Sequence, residues 1–454
     1  MTTMIPFPTQ LSGAKFLASN THALLADEPR CGKTGTAVMA ADYVMAQTIL
    51  VITTASGRGV WERGFEAWAA LERSMQIALP GKALDKDVVI VGWPSLTNPK
   101  IVSQLVARQW DLIISDEDHF AKNYDAKRTQ ALYGRLIDDG EQLNDVLALF
   151  AKAKRVWPLT GTPLPHSPAD MYPRLRALAP HRLAADPAKG WPDVTRYNVF
   201  LHRYCQVRMK KLSHFNSIPV IMGGKNEAEL AERIKGFYLR RTQKDVGIRE
   251  PIYDLLPLLP TKGERDAAIL AERDLDRRKV LNAAATGDTK ALEMHLGTLR
   301  RLTGDAKAHE VVKAVIDEFD CGLDKIVLAY WHKSVAEILA DGLAKYGVTG
   351  IDGSTPALQR QPNVEAFWKP DGPRVFLAQI EAAGEAIDLS NAAVLWFVES
   401  TFSPRSMKQM SLRITNHTQQ RQAVVKVCTL TGSIDEALQA SLMRLWTAIR
   451  EIMK

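Results

Sequence analysis

Two short stretches of this 454-residue chain carry residue types and spacing suited to phosphate chemistry. The first is Ala26-Asp27-Glu28-Pro29-Arg30-Cys31-Gly32-Lys33-Thr34, which follows an apolar run and opens an apolar helical pattern. A backbone curled around phosphate needs small residues and free amides; here Gly32 supplies the turn, Lys33 a point charge for the outer phosphates, and Thr34 a hydroxyl for magnesium. Asp27 stands where the strict pattern has its first glycine. The second stretch is Asp116-Glu117-Asp118-His119, delivered at the carboxyl end of the apolar run Trp110 to Ser115. That edge of a parallel sheet is where ligand chemistry belongs. Asp116 could hold magnesium, while Glu117 could orient and deprotonate an attacking water. Either stretch alone would also fit a solvated turn or a chance helix start; together they point to hydrolysis of a nucleoside triphosphate.

Such residues need a rigid sheet behind them, and the apolar pattern provides two. Ala23–Ala26, Ile49–Ile52, Val88–Val91, Leu112–Ile114 and Arg155–Leu159 are short buried-type runs separated by helical segments, the signature of a doubly wound α/β lobe over residues 1–180. The alternation resumes over 304–454, with Ile326–Tyr330, Val375–Ala378, Val394–Val398 and Val424–Val427, and predicts a second α/β lobe. Between them, 181–303 reads as a mainly helical insertion and linker. It is also basic, with twelve Lys or Arg against four Asp or Glu from Arg196 to Arg249, so it offers either a phosphate-facing surface or a solvated helical face.

Bulk properties narrow the class. Hydrophobic residues at 46% and charged residues at 24% describe an ordinary folded protein, and a net charge of +7 suits a polyanionic partner without requiring one. Cys31, Cys205, Cys321 and Cys428 have no CxxC spacing, which argues against a zinc site or a disulfide framework. No apolar run has spanning length and the first residues lack the basic and apolar regions of an export signal, so the expectation is an unexported protein of the cytoplasm with no membrane partner.

The order of these motifs resembles that of superfamily 2 helicases, specifically the Swi/Snf type of double-stranded DNA translocase. Phe7-Pro8-Thr9-Gln10 resembles the adenine-recognising element, Ile52 to Trp61 motif Ia, Val91 to Ser95 motif Ib, and Asp116 to His119 a DEAH-type motif II. Leu159-Thr160-Gly161-Thr162-Pro163 resembles motif III, and Tyr238 to Val246 a block peculiar to the Swi/Snf group that points away from DEAD-box RNA helicases. Phe200 to Cys205 is similar to the compact annealing-helicase branch, Asp352 to Thr355 with Arg360 to a second-lobe block, and Gln409 with Arg413 to motif VI. The resemblance implies two RecA-like lobes, ATP and Mg2+ as cofactors, and duplex or branched DNA rather than RNA as partner, with a replication or repair protein as a further one. It implies that Gln10 reads adenine, that Gln409 and Arg413 reach the nucleotide from the second lobe, and that His119, Thr160, Gly161 and Thr162 couple hydrolysis to movement. Arg58, Trp61, Trp93, Ser354, Arg240 and Arg241 are the implied nucleic-acid contacts; Trp61 and Trp93, aromatics beside apolar strands, read better as core residues. Two departures stand out. Motif V reads Ala383-Gly384-Glu385-Ala386-Ile387-Asp388-Leu389, with two glycines replaced, and Asn416 stands where motif VI usually has its second arginine. A DNA-dependent ATPase that translocates on or remodels duplex DNA is therefore one expectation. A weakened motor acting as an ATP-dependent binding module is the other.

Overall fold

The computed structural model describes residues 5–440, except 55–56, 80, 138–141, 162–166, 212–216, 260, 262, 264–288, 384–386, 400–403, 418, 434 and 438. The chain divides into two compact units, Met1–Val246 and Gly247–Lys454.

The first unit is built on seven parallel strands. In chain order its strands are β1 (Leu24–Leu25), β2 (Ile49–Thr53), β3 (Met75–Ile77), β4 (Val88–Gly92), β5 (Trp110–Asp116), the hairpin pair β6 (Arg135–Ile137) and β7 (Gln142–Asn144), β8 (Ala153–Leu159), a second hairpin pair β9 (Cys205–Lys211) and β10 (Ser217–Gly224), and β11 (Tyr238–Leu239). The large sheet has the order β11-β1-β8-β5-β2-β4-β3. Strands β2 and β4 are buried along their whole length, as expected where helices cover both faces. One face packs Leu50, Ile52, Val89, Val91 and Ile113 under Tyr172, Leu175 and Phe200; the other packs Leu25, Val51, Ile90 and Ile114 under helices α1 (Pro8–Ser19), α2 (Lys33–Tyr43) and α3 (Gly57–Trp68). This order places β8 between β1 and β5, so the residues following all three strands share one edge.

The second unit repeats the plan with β12 (Ile252–Leu258), β13 (Ile326–Tyr330), β14 (Val348–Ile351), β15 (Val375–Gln379), β16 (Val394–Phe397) and β17 (Val424–Leu430). All are parallel, in the order β12-β17-β16-β13-β15-β14. A 32-residue helix, Thr289–Asp320, leads into β13. The two α/β lobes expected from the alternation are thus both present.

The unit boundary divides the segment 181–303 that composition sets apart: 181–246 belongs with the first sheet and 247 onward with the second. Its described part is mixed, with strands beside the expected helices. Beside helices Tyr197–Tyr204 and Glu227–Ile234 and the beginning of Thr289–Asp320, it contributes the antiparallel β9–β10 ribbon and two edge strands, β11 and β12. Edge strands are half exposed and mix polar with apolar residues, so they lack the uniform apolar signal of central strands; Pro257 sits on such an edge, where a missing amide is tolerated.

In the second unit Lys307 and Asp435 form a buried pair, Nζ to Oδ2 3.0 Å with side chains 2% and 5% exposed, and Asp435 also accepts from the Leu430 amide at 3.1 Å. Asp435→Ala strands a buried ammonium and is expected to destabilise this unit by about 3–5 kcal/mol. Urea unfolding followed by circular dichroism measures this, and a Lys307→Met, Asp435→Leu double variant should recover most of the loss.

Candidate functional site

The loop after β1 is drawn into a curl by its own backbone. The Cys31 amide donates to the Glu28 carbonyl at 3.3 Å, closing a turn with Pro29 and Arg30 at its centre. Arg30 and Gly32 both have positive φ, +74° and +79°. Lys33, the first residue of α2, points its ammonium into the curl and donates to the carbonyls of Asp27 at 2.7 Å and Glu28 at 3.2 Å. A cation held by loop carbonyls is available to exchange them for phosphate oxygens. Gln10 supports the loop from α1: its Nε2 donates to the Gly32 carbonyl at 3.2 Å while its Oε1 accepts from the Phe7 amide at 3.0 Å. The φ of Gly32 favours glycine, and a Cβ there would stand 2.4 Å from the Gln10 amide and push that side chain aside. Thr34 is half-buried beside Gly64 of α3.

From outside, the loop is clamped by the last segment of its own unit. The amides of Leu24, Ala26 and Glu28 donate to the carbonyls of Phe237, Leu239 and Arg241 at 2.9, 2.7 and 2.9 Å. Arg241 Nε lies 3.1 Å from both oxygens of the fully buried Asp27, Nη2 completes the ion pair, and Nη1 reaches the Thr9 carbonyl and Ser12 of α1. Arg240 faces Glu28 at 3.7 Å; the Gln243 amide donates to Glu28 at 2.9 Å and its side chain to the Pro29 carbonyl at 2.9 Å. Arg240 and Arg241, expected as nucleic-acid contacts, therefore spend their charge on the two carboxylates of the loop. Asp27 departs from the glycine of the strict pattern because Arg241 neutralises it. A carboxylate at that position was the available signal for a distant cation.

At the end of β5, the partly buried Asp116 accepts from Thr53 Oγ1 and Trp61 Nε1 at Oδ2, both at 2.9 Å, and its carbonyl accepts from Trp93 Nε1 at 2.9 Å. Burial raises its carboxyl above the usual range and the charge of Glu117 raises it further, against the two hydrogen bonds and Lys33. Trp61 and Trp93 are 0% and 2% exposed. Of the two readings the sequence left for them, nucleic-acid contact and core residue, burial sets aside the first: both indoles are buried in the sheet packing and aim Asp116. Glu117 adopts φ +49°, and its Oε2 lies 3.2 Å from His119 Nδ1, which is 3.4 Å from Thr160 Oγ1. Thr160 is fully buried after β8, and a Cβ on Gly161 would lie 2.9 Å from Pro29 of the loop. The segment after β8 thus lies between the loop and the acidic pair; Thr162 is outside the described residues.

Asp118 was not singled out by sequence reasoning. It is buried, accepts from Ser115 Oγ and Tyr133 OH at 2.7 Å each, and pairs with the fully buried Arg174, which also donates to the Asp118 and Asp170 carbonyls at 3.0 and 2.9 Å. It fixes the turn that carries Glu117.

These groups fit a magnesium nucleoside triphosphate. The curled loop holds a cation on exchangeable carbonyls, and the adjacent carboxylates of Asp116 and Glu117 repel each other in a way that a divalent cation would relieve. Gln10, Gly32, Lys33, Thr34, Asp116 and Glu117 all lie within the first unit. Arg58 is half-buried in the first turn of α3. In the second unit, Gln409 lies on helix Pro404–Ser411 and Arg413 follows it, 6% exposed, its carbonyl accepting from the Leu389 amide at 3.0 Å. Ser354 is exposed and caps a turn on Asp352, with Oγ 2.9 Å from both carboxylate oxygens. Asn416 donates to Ser390 Oγ and accepts from the Gln419 amide at 2.8 Å, a turn-forming use of the amide. Gly384 to Ala386 are outside the described residues.

Residues 9–257 match the family described as SNF2-related domain, and residues 309–417 match the helicase conserved C-terminal domain. Among curated proteins, the chain is 25% identical over 460 residues to SWI/SNF-related matrix-associated actin-dependent regulator of chromatin subfamily A-like protein 1 of Xenopus tropicalis, covering 98% of this chain and 44% of the relative. It is 24% identical over 466 residues to DNA annealing helicase and endonuclease ZRANB3 of Mus musculus, covering 98% and 40%. The chain spans less than half the length of either relative. The Sulfolobus solfataricus SWI2/SNF2 ATPase core in complex with dsDNA aligns at 18% identity and a TM-score of 0.42, over 96% of this chain and 92% of that one.

Removing the clamp tests its role. Arg241→Ala leaves Asp27 buried and unpaired, and is expected to destabilise the first unit by about 3 kcal/mol and to weaken nucleotide binding. A fluorescent ATP analogue titrated at a temperature where the variant remains folded measures the second effect; Arg241→Ala with Asp27→Gly should restore much of the stability.

Proposed function

The chain belongs to the SNF2-related domain family, and from that premise we propose that it is a DNA-dependent ATPase that translocates on or remodels duplex DNA during replication, recombination or repair. The observation that carries the reading is the common sheet edge. The Lys33 loop, the Asp116–Glu117 pair and Thr160 follow the adjacent strands β1, β5 and β8, with Thr160 between the other two.

ATP with magnesium supplies an electrophilic phosphoryl group and a leaving diphosphate when bound. In this proposal Gln10 reads adenine while holding Gly32. Lys33 exchanges the Asp27 and Glu28 carbonyls for phosphate oxygens, and Thr34 and Asp116 hold the metal. Trp61 and Thr53 both donate to Oδ2 of Asp116 and so fix the carboxylate that would do so. Glu117 takes the proton of the attacking water, with its carboxylate steadied by His119. His119, Thr160, Gly161 and Thr162 report the state of the nucleotide to the DNA path. Arg58 and Ser354 are the remaining motif-borne candidates for DNA contact, and Gln409 and Arg413 the second unit's contribution to the nucleotide. Binding to phosphates implies weak sequence preference and strong salt dependence.

Slow turnover is part of the proposal. An arginine finger contributes about 10³ to 10⁵ in rate in other phosphoryl-transfer enzymes, whereas Asn416 is uncharged and engaged with Ser390 and Gln419. The same observation favours a second reading, an ATP-dependent clamp on DNA or a replication or repair partner.

Steady-state phosphate release with duplex, forked, single-stranded and RNA effectors separates these readings. Stimulation by duplex or forked DNA supports the motor; nucleotide-dependent DNA retention without phosphate release supports the clamp; no binding of nucleotide or DNA overturns both. Lys33→Ala and Glu117→Gln are expected to abolish release. Trp61→Phe should lower kcat several-fold while leaving DNA affinity at the wild-type value, because its indole serves Asp116; a selective loss of DNA affinity would return Trp61 to the nucleic-acid surface.

A further inference from the structure

The cationic excess of the segment from Arg196 to Arg249 is unevenly used. Arg203 and Arg233 converge on Glu229, with Nε to carboxylate distances of 3.1 and 3.2 Å, Lys235 faces Glu232 at 3.6 Å, and Arg240 and Arg241 pair with Glu28 and Asp27. The β9–β10 ribbon is different. Residues 205–225 include Arg208, Lys210, Lys211 and Lys225 and not one Asp or Glu.

The ribbon stands apart from both large sheets and is joined to its unit along one face. It continues directly from helix Tyr197–Tyr204; the Lys225 amide donates to the Tyr204 carbonyl at 2.9 Å, and Val207 and Ile221 pack against Ala169, Leu201 and Cys205. Val207 and Ile221 are register partners, so this is the inner face. Successive residues of a strand alternate between faces, which assigns Gln206 and Arg208 to the outer face, and both are exposed. Lys210 has the same register parity as Arg208, opposite Ile218, and exposed Lys225 follows the end of β10. An isolated two-stranded ribbon is marginal in water, so its one anchored face accounts for its persistence but not for the exposed Arg208 on the other.

We propose that the outer face of the β9–β10 ribbon is a contact for duplex DNA separate from the helicase motifs, with Arg208, Lys210 and Lys225 serving backbone phosphates. The inference rests on the DNA-dependent reading above and assigns it a surface. Charge complementarity selects the partner: a duplex presents a negative charge about every 1.7 Å of its axis, and its major groove, about 12 Å wide, admits a two-stranded ribbon. Phosphate contact of this kind is independent of sequence and adds counterion release to the affinity.

The test is anisotropy of a labelled duplex of about 30 base pairs, titrated with the full chain between about 50 and 200 mM salt. The triple variant Arg208→Gln, Lys210→Gln, Lys225→Gln is expected to bind about tenfold or more weakly at the lower salt, with a salt slope smaller by about two to three. Arg208→Lys with Lys210→Arg should keep the wild-type slope. Unchanged affinity for a fluorescent ATP analogue in all variants, read in the same samples, establishes that the fold and nucleotide site are intact. Wild-type affinity and slope in the triple variant would overturn the ribbon proposal and leave the ATPase reading standing. Displacement of the duplex by polyglutamate as readily as by unlabelled duplex would overturn it in favour of an acidic protein partner. A wild-type chain that does not bind duplex at any salt overturns both readings.

Discussion

Everything in the first unit depends on neutralising the buried carboxylate of Asp27. A lone carboxylate at zero exposure would cost several kcal/mol, and its counter-charge, Arg241, comes from 214 residues further along the chain. Because the same guanidinium also reaches Thr9 and Ser12, α1, the phosphate loop and β11 are fixed by one side chain. The loop's amides and Glu28 add further bonds to the same segment. The proposed nucleotide platform is therefore complete only when residues up to Gln243 are in place, which explains why the compact unit extends to Val246 rather than stopping after β8.

A second layer of buried polar groups performs the same service for the acidic pair. Asp116 and Glu117 repel each other, and the energy of holding them together comes from neighbours that do no chemistry: the Trp61 and Trp93 indoles, Thr53, and the Asp118–Arg174 pair beneath the turn. Preorganisation of this kind is what a phosphoryl-transfer site requires, since little covalent chemistry is left to the protein.

The central strands were legible because burial on both faces gives uniform apolar runs, and both α/β lobes followed from them. The placement of Lys33, Thr34, Asp116 and Glu117 after such strands was legible too, because it lies in local spacing. What was not legible is long-range pairing. Nothing in the string around Tyr238 says that its two arginines face Asp27 and Glu28, and an aromatic beside an apolar strand reads the same whether it stacks on a base or donates to a carboxylate. The edge strands β11 and β12 and the β9–β10 ribbon were missed for a related reason: half-exposed strands mix polar and apolar residues, and a segment without alternation reads as helical.

Charge counting illustrates the limit most directly. A run of twelve cations against four acids suggests one basic surface, yet a cation's role depends on which carboxylate the fold brings within about 4 Å of it. Asp27 and Glu28 lie far outside that run and remove two arginines from it, while Glu229 binds two more within it. The excess is left where no acid occurs, on a ribbon whose inner face is spent on anchorage. The same reasoning governs Asn416, whose amide is consumed by a turn. In each unit the groups left to meet a ligand are those the fold has not already used.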